Sequence, residues 1–324
     1  MNPIPAGVVG VGRLGAAHAR LLAGSPAFEL VGVHDRARSR AEEVAAALSV
    51  PAFPDAADLH ARAEAVVIAV PTAAHHAAAV AAIAAGCHAL VEKPLASTLE
   101  EADEIVRLAN ETGVVLGVGH VERFNGVLQA AEPFLDRPRF IESLRMAPFQ
   151  PRGADVTVVL DLMIHDIDLV LALARTPLAD VRAVGVSVIS PWIDLANARL
   201  SFEDGTVANI TASRVSFRTI RQLRLFQRSG YFSLDLAEGT GHHYRRRDPR
   251  TVGRIAGVEN LVEPIPLEAP PGEPLARELD AFADAIAGRP TRLVSGYAGR
   301  EALEVATRIT REIEEFVHVV DQDS

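Results

Sequence analysis

The chain has 324 residues, 49% hydrophobic and 23% charged, with a net charge of −10. That length suits two domains better than one small core, and the composition is that of a globular protein. The acidic surplus argues against a nucleic-acid partner, and no apolar run is long enough to span a membrane, so neither partner is expected.

The N-terminus, "MNPIPAGVVGVG", has no basic segment ahead of its first apolar run, so no signal peptide is expected. Cys87 is the single cysteine, which excludes an internal disulfide and fits a reducing cytoplasm. Its side chain reads as a small buried apolar group.

"AGVVGVGRLGAAHARLL" is a short apolar strand, a glycine turn and a helical pattern. Gly10, Gly12 and Gly15 fit G-x-G-x-x-G: a tight turn, a close backbone approach to a pyrophosphate, and close packing of helix on strand. Arg13 and Leu14 complete that turn at the helix N-terminus, where an anion is favoured. The next strand, "FELVGVHD", ends at Asp35, where a carboxylate would hold the ribose hydroxyls of NAD. Arg36, Arg38 and Arg40 follow. Their charge would accept a 2′-phosphate, so NADP stays open beside the favoured NAD, although a solvated helix start accounts for them too.

Strand and helix patterns then alternate: "AEAVVIAVP", a helix over 73–85, "HALVEKP", a helix over 98–112, and "VVLGVGH". Alternation of this kind predicts a parallel sheet covered on both faces, with ligands outside the carboxyl ends of its strands. Lys93 lies at one such end and His120 at the next. Lys93 is the one lysine beside 31 arginines. Arginine serves wherever a plain positive charge is needed in this chain, so the retained lysine points to chemistry. A compact ammonium with an adjustable pKa can hold a reacting oxygen.

"DLMIHDIDLVLALA", Asp161 to Ala174, is apolar apart from a polar stripe. At about 100° per residue, His165 falls about 40° from Asp161, and Asp168 about 20° to the other side. Asp166 falls off the stripe. Ionisable groups in an apolar helix must be paired or line a polar cavity. The stripe therefore reads either as a structural Asp–His pair or as an imidazole oriented to act as a general base.

Strand signals dominate 138–147 and 179–236, with hairpin turns at Asp204-Gly205 and Ser229-Gly230. Arg214, Arg218, Arg221, Arg224 and Arg228 alternate through this region, as ordinary strand-face charge or as a diphosphate clamp. "HHYRRRDPR", 242–250, reads as a mobile loop, and the Pro- and Gly-rich stretch 262–274 as a connection before two final helices. Adjacent histidines are not metal spacing, so no metal is expected. Glu122, Arg123, Asn125, Arg152 and Asp168 border the expected cleft with His120 and are candidates for substrate contact.

Together these motifs resemble the glucose–fructose oxidoreductase / inositol dehydrogenase / MocA (Gfo/Idh/MocA) family. The resemblance rests on the glycine fingerprint at 10–15, Glu92-Lys93-Pro94, Asp161-x-x-x-His165, and His75 four residues after Pro71. The C-terminal "EPLARELDAFADAI" and "SGYAGREALEVATRI" extend it over nearly the whole chain. It implies a Rossmann domain over 1–121, a doubly wound parallel sheet. It also implies an α+β domain over 122–324, with a large, mostly antiparallel sheet that mediates homo-oligomerisation as a dimer or tetramer. It places the catalytic lysine on Lys93 and the catalytic aspartate and histidine on Asp161 and His165. Pro71, His75 and Glu92 join Lys93 beside the cofactor.

Met163 stands where many members carry a small residue, which sets the chain apart from the inositol and glucose enzymes. "GVGHVERFNGVL", "PRGADVTVVLDLMIHDIDLV", "ANITASRVS" and "IRQLRLFQRSGYFSLDL" are similar to UDP-N-acetylglucosamine 3-dehydrogenases. That resemblance implies a sugar-nucleotide substrate oxidised at C3, ahead of an aminotransferase step in lipid A synthesis. The alternatives are a dehydrogenase of a free sugar, an inositol or another sugar nucleotide, and a dinucleotide sensor without turnover.

Overall fold

The structure, a computed structural model, describes residues 2–150, 156–248 and 258–322. They form two compact units. The first combines Met1–Val121 with Glu273–Leu303, and the second combines Glu122–Gly272 with Glu304–Ser324.

The first unit runs β1 (Ile4–Val9), α1 (Arg13–Gly24), β2 (Phe28–His34), α2 (Arg38–Leu48), β3 (Ala52–Phe53), α3 (Ala56–His60), β4 (Ala65–Ile68), α4 (His75–Ala84), β5 (His88–Glu92), α5 (Leu99–Thr112) and β6 (Leu116–Gly119). All paired strands are parallel, in the order β3-β2-β1-β4-β5-β6. The order reverses between β1 and β4, the switch point where such sheets open a ligand crevice. The local chemistry of these elements is legible in α5. Thr98 caps its start by accepting the Glu101 N–H at 3.2 Å, and Gly113 ends it in the left-handed region at φ 74°. Between the caps, Ala102, Ile105, Val106 and Ala109 recur at helical spacing and are buried.

The second unit runs α6 (Gly126–Ala131), β7 (Phe140–Met146), α7 (Ile164–Ala174), β8 (Leu178–Val186), β9 (Leu195–Phe202), β10 (Val207–Ser213), β11 (Ile220–Gln227), β12 (Gly230–Asp235), β13 (Thr240–Arg246), α8 (Val258–Leu261) and β14 (Val262–Leu267). The strands pair in the order β14-β13-β12-β11-β7-β10-β9-β8. β7 and β10 are parallel and the other pairs antiparallel. Alternation assigns the faces. Val181 and Ala183, Ala196 and Ala198, and Leu223 and Leu225 are buried, while Val184 and Val186 point outward.

Three expectations change. Glu273–Leu303 returns to the first unit instead of continuing the second. The reason is the apolar face of α9 (Pro274–Ile286): Leu279, Phe282 and Ala283 join the core of α1 and β2, with Phe282 stacked 6.3 Å from Phe28. Burying a ring of that size stabilises by roughly 1.5–3 kcal/mol.

Within 242–250, residues 242–246 belong to strand β13 and not to a loop, because β12 and β14 pair with its two edges. Residues 262–267 likewise form β14. Its Pro264 and Pro266 sit two apart on the outermost strand, so the missing N–H groups remove no bond from the sheet interior.

Candidate active site

In the first unit, the cofactor candidates sit at or just past strand ends. Gly10 follows β1 with φ 87°, and a Cβ there would meet the Ala69 backbone at 2.8 Å. A Cβ on Gly15 would lie 1.8 Å from the Gly10 carbonyl oxygen, so both positions require glycine. Gly12 is the N-cap of α1 and supplies no side-chain cap. The first N–H groups of that helix therefore face the turn with the dipole of a 12-residue helix behind them. Arg13 and Leu14 are exposed on this first turn.

Asp35 accepts the Val11 N–H on Oδ2 and the Ala37 N–H on Oδ1, both at 2.8 Å. A carboxylate has about four acceptor sites, so it keeps capacity for ribose hydroxyls while it shapes the turn. A cavity of about 400 Å³ beside it is lined by His34, Arg36, Phe53 and Pro54. Arg38 pairs with Glu42 at 2.8 Å and Arg40 with Glu43 at 2.9 Å. Both pairs lie on the exposed surface of α2. Cradle, helix end and carboxylate together fit a dinucleotide.

Pro71 is exposed and opens the 3-10 turn Thr72–Ala74. His75, at the start of α4, is buried and bridges two turns. Nδ1 lies 2.7 Å from the Pro94 carbonyl oxygen and Nε2 lies 2.9 Å from that of Val70. Burial pushes its pKa down, against the raising effect of those two carbonyls. Glu92 ends β5 and is buried against His18, with Oε1 2.6 Å from Nε2. His75 and Glu92 thus spend these polar atoms inside the protein, on either side of Lys93, which lies between Glu92 and Pro94. Lys93 is half-buried, and the Lys93–Pro94 bond is cis. His120, one residue past β6, is 1% exposed.

In the second unit, the polar stripe differs from its expected form. Val159–Met163 is a π turn and the α-helix begins at Ile164. The 100° step therefore does not hold through Asp161. Such π turns are frequent at functional sites. Asp161 and His165 are half-buried on successive turns. The entry to this segment is pinned: Arg214 donates to the carbonyls of Val156 and, at 3.2 Å, of Ile193, and the Val158 N–H donates to Ile193 at 2.9 Å.

Asp168 is 1% exposed and held by Arg123, with Nε and Nη2 each 2.7 Å from a carboxylate oxygen. Of that pair, Arg123 is the one that keeps exposed surface. Asp166, off the stripe, meets Arg145 and Ser143 in a buried cluster that also takes in Glu122. Glu122 further accepts from Arg221 at 3.3 Å. Asn125 caps α6 and donates to Leu236 O at 2.9 Å. Glu122, Asn125 and Asp168 are therefore committed to internal partners, because buried polar atoms must be satisfied locally. Arg152 lies outside the described residues.

Sequence reasoning passed over Arg145, Ser143 and His18. The signal for the first two was Asp166 itself, a charge in an apolar helix that demands a partner. The arginine series also divides. Arg214 is buried 3.4 Å from Asp194, Arg221 meets Glu122, and Arg224 meets Glu142 at 3.0 Å, while Arg218 and Arg228 are exposed. Among the described residues, no helix is long and apolar enough to cross a membrane.

Comparison with known proteins agrees with this geometry. Residues 4–120 match the model of the oxidoreductase family with an NAD-binding Rossmann fold, and residues 138–232 match the GFO/IDH/MocA C-terminal domain. The chain is 40% identical over 312 residues to a UDP-N-acetylglucosamine 3-dehydrogenase of Acidithiobacillus ferrooxidans, covering 96% of this chain and 97% of the relative. It is 30% identical over 230 residues to the scyllo-inositol 2-dehydrogenase (NAD(+)) of Bacillus subtilis, covering 64% and 67%. A solved structure of the Acidithiobacillus enzyme superposes with a TM-score of 0.88 at 39% identity, over 98% of this chain and 99% of that one. An oxidoreductase of Desulfitobacterium hafniense shares the fold, with a TM-score of 0.85 at 20% identity over 97% and 96%. The chain therefore belongs to the Gfo/Idh/MocA family of NAD-binding oxidoreductases.

Proposed function

We propose that this chain oxidises the C3 hydroxyl of UDP-N-acetylglucosamine to a ketone. The observation that carries the reading is near-full-length similarity to an enzyme named for that reaction; the motif resemblance that assigns the catalytic roles to Lys93, Asp161 and His165 supports it. NAD, when bound, supplies the acceptor for the hydride that leaves C3. His165 takes the hydroxyl proton as general base, and Asp161 orients the neutral imidazole and stabilises the imidazolium that forms. Lys93 donates a hydrogen bond to the same oxygen and stabilises the negative charge that develops there. The alcohol loses one hydride and one proton and becomes the 3-keto sugar nucleotide. Arg123, with an exposed edge, is the residue of choice for a diphosphate contact.

A second copy of the chain covers the outer face of the large sheet, where Val184 and Val186 are 44% and 55% exposed. Neighbouring Val188, Ile189 and Trp192 extend that apolar surface. The product feeds a transamination in the cytoplasm, on the route to amide-linked lipid A.

The test is a panel of UDP-N-acetylglucosamine, its unphosphorylated sugar, other sugar nucleotides and inositols, each mixed with the protein and NAD. The expected result is absorbance of reduced cofactor with UDP-N-acetylglucosamine and its loss in Lys93→Met. Turnover confined to unphosphorylated polyols removes the nucleotide-sugar reading. Tight NAD binding with no product from any alcohol marks a sensor.

A further inference from the structure

Lys93 has one chain neighbour on each side, and a buried histidine holds each of them. Before it, Nε2 of His18 lies 2.6 Å from Oε1 of Glu92. After it, Nδ1 of His75 lies 2.7 Å from the Pro94 carbonyl oxygen. The histidines come from different helices. His18 is on α1, one turn past the glycine cradle, and His75 opens α4. Their exposures are 0% and 1%, and that of Glu92 is 7%.

Supporting contacts surround both grips. A Cβ on Gly119 would lie 2.8 Å from Oε2 of Glu92, so the next strand leaves room for this carboxylate. Glu278 of α9, itself fully buried, brings a carboxylate oxygen within 4.8 Å of a His18 ring nitrogen and a Glu92 carboxylate oxygen. His75 also reaches the Val70 carbonyl at 2.9 Å, which ties the turn after β4 to the turn after β5. Packing alone does not call for this arrangement, because apolar side chains of like volume would fill the space without the desolvation of three ionisable groups. What the polar contacts add is direction: one nitrogen of His18 ends on residue 92 and one of His75 on residue 94.

The charges are linked as well. Glu92 raises the proton affinity of His75 and Lys93 lowers it. An ammonium at Lys93 and an imidazolium at His75 therefore oppose each other.

We propose that His18 and His75 are positioning residues that clamp the chain on either side of Lys93 and so set the place and environment of its amine. This rests on the reading of Lys93 as a catalytic group. Neither histidine touches the reacting atoms in this account; each acts through the lysine.

Because lysine occurs once, protein labelled with ε-13C-lysine gives a single side-chain signal, which reports Lys93 alone. The variants are His18→Leu and His75→Leu, with His18→Gln and His75→Asn as conservative partners. A glutamine amide reaches the place of Nε2, and an asparagine amide reaches that of Nδ1. The leucine variants are expected to shift the Lys93 signal, move its titration midpoint and lower kcat by about tenfold or more. KM for NAD should stay within about threefold. The conservative partners should recover most of kcat.

An unchanged Lys93 signal and titration in the folded leucine variants overturns the proposal. Where those variants do not fold, His75→Asn is compared with His75→Gln, which keeps the Val70 contact instead. Equal kcat in that pair overturns the proposal; a higher kcat for Asn supports it. Lys93→Met separates the two readings. Near-normal turnover there removes the catalytic assignment, while the lysine signal still decides whether the histidines set the amine's environment.

Discussion

Arg145 reaches from the middle of the large sheet to Asp166, its Nε 2.6 Å from one carboxylate oxygen and its Nη2 3.2 Å from the other. Burial alone would weaken its hold on the proton, but the charges of Asp166 and Glu122 outweigh that and bind it more tightly than usual. The contact fixes α7 against β7 by the residue next to His165. A side chain off the polar stripe thus decides where the stripe points.

Asp166→Asn leaves that guanidinium buried with half its countercharge. Unfolding free energy should fall by about 3–5 kcal/mol, read from urea denaturation at constant m. A loss within about 0.5 kcal/mol would mean that the cluster adds no net stability.

Arg123→Lys keeps a positive charge beside Asp168 but cannot reproduce a fork with two 2.7 Å arms. Because Arg123 is partly exposed, the stability cost should be only about 1–2 kcal/mol. If the guanidinium also meets a diphosphate, KM for the sugar nucleotide rises about tenfold or more with KM for NAD unchanged. Steady-state kinetics with each substrate varied in turn checks this.

Gly15→Ala places a methyl group where the Gly10 carbonyl already stands, 1.8 Å from the new carbon. The helix must move off the strand. NAD affinity by calorimetry should fall by about tenfold or more, with a lower melting temperature. Gly24→Ala, at the far end of the same helix, meets nothing within 4 Å and serves as the control.

Asp35→Ser retains an oxygen for the Val11 and Ala37 N–H groups and removes the charge that repels a 2′-phosphate. The preference for NAD over NADP, as a ratio of kcat/KM, should drop by about tenfold or more. An unchanged ratio would place the discrimination elsewhere.

Burial pushes the pKa values of His60, His75, His88 and His243 below their ordinary 6.5. At pH values below about 6.5 the unfolded chain therefore binds more protons than the folded one, and stability rises with pH through that window. Unfolding free energy should be lower at pH 5.5 than at pH 7.5. A flat profile would show that these imidazoles bind protons equally well folded and unfolded.

The sequence by itself determined the first unit's strand–helix alternation, its glycine cradle and the acid that follows β2, because each depends on neighbours within a few dozen residues. It also singled out Lys93, Asp161 and His165, through a unique lysine and ionisable groups in an apolar helix. Tertiary structure alone decided the rest. A periodic rule assumes a regular helix, so the π turn at Asp161 escaped it. Proline-rich 262–267 became a strand because an outer edge tolerates missing N–H groups. α9 joined the first core, because an amphipathic face carries no mark of which sheet it covers. The partners of Glu92 and Asp166 were hidden for the same reason: His18 is 74 positions from Glu92, and Arg145 is 21 from Asp166. A buried charge announces that it needs a counterpart; which residue provides it depends on how the chain returns.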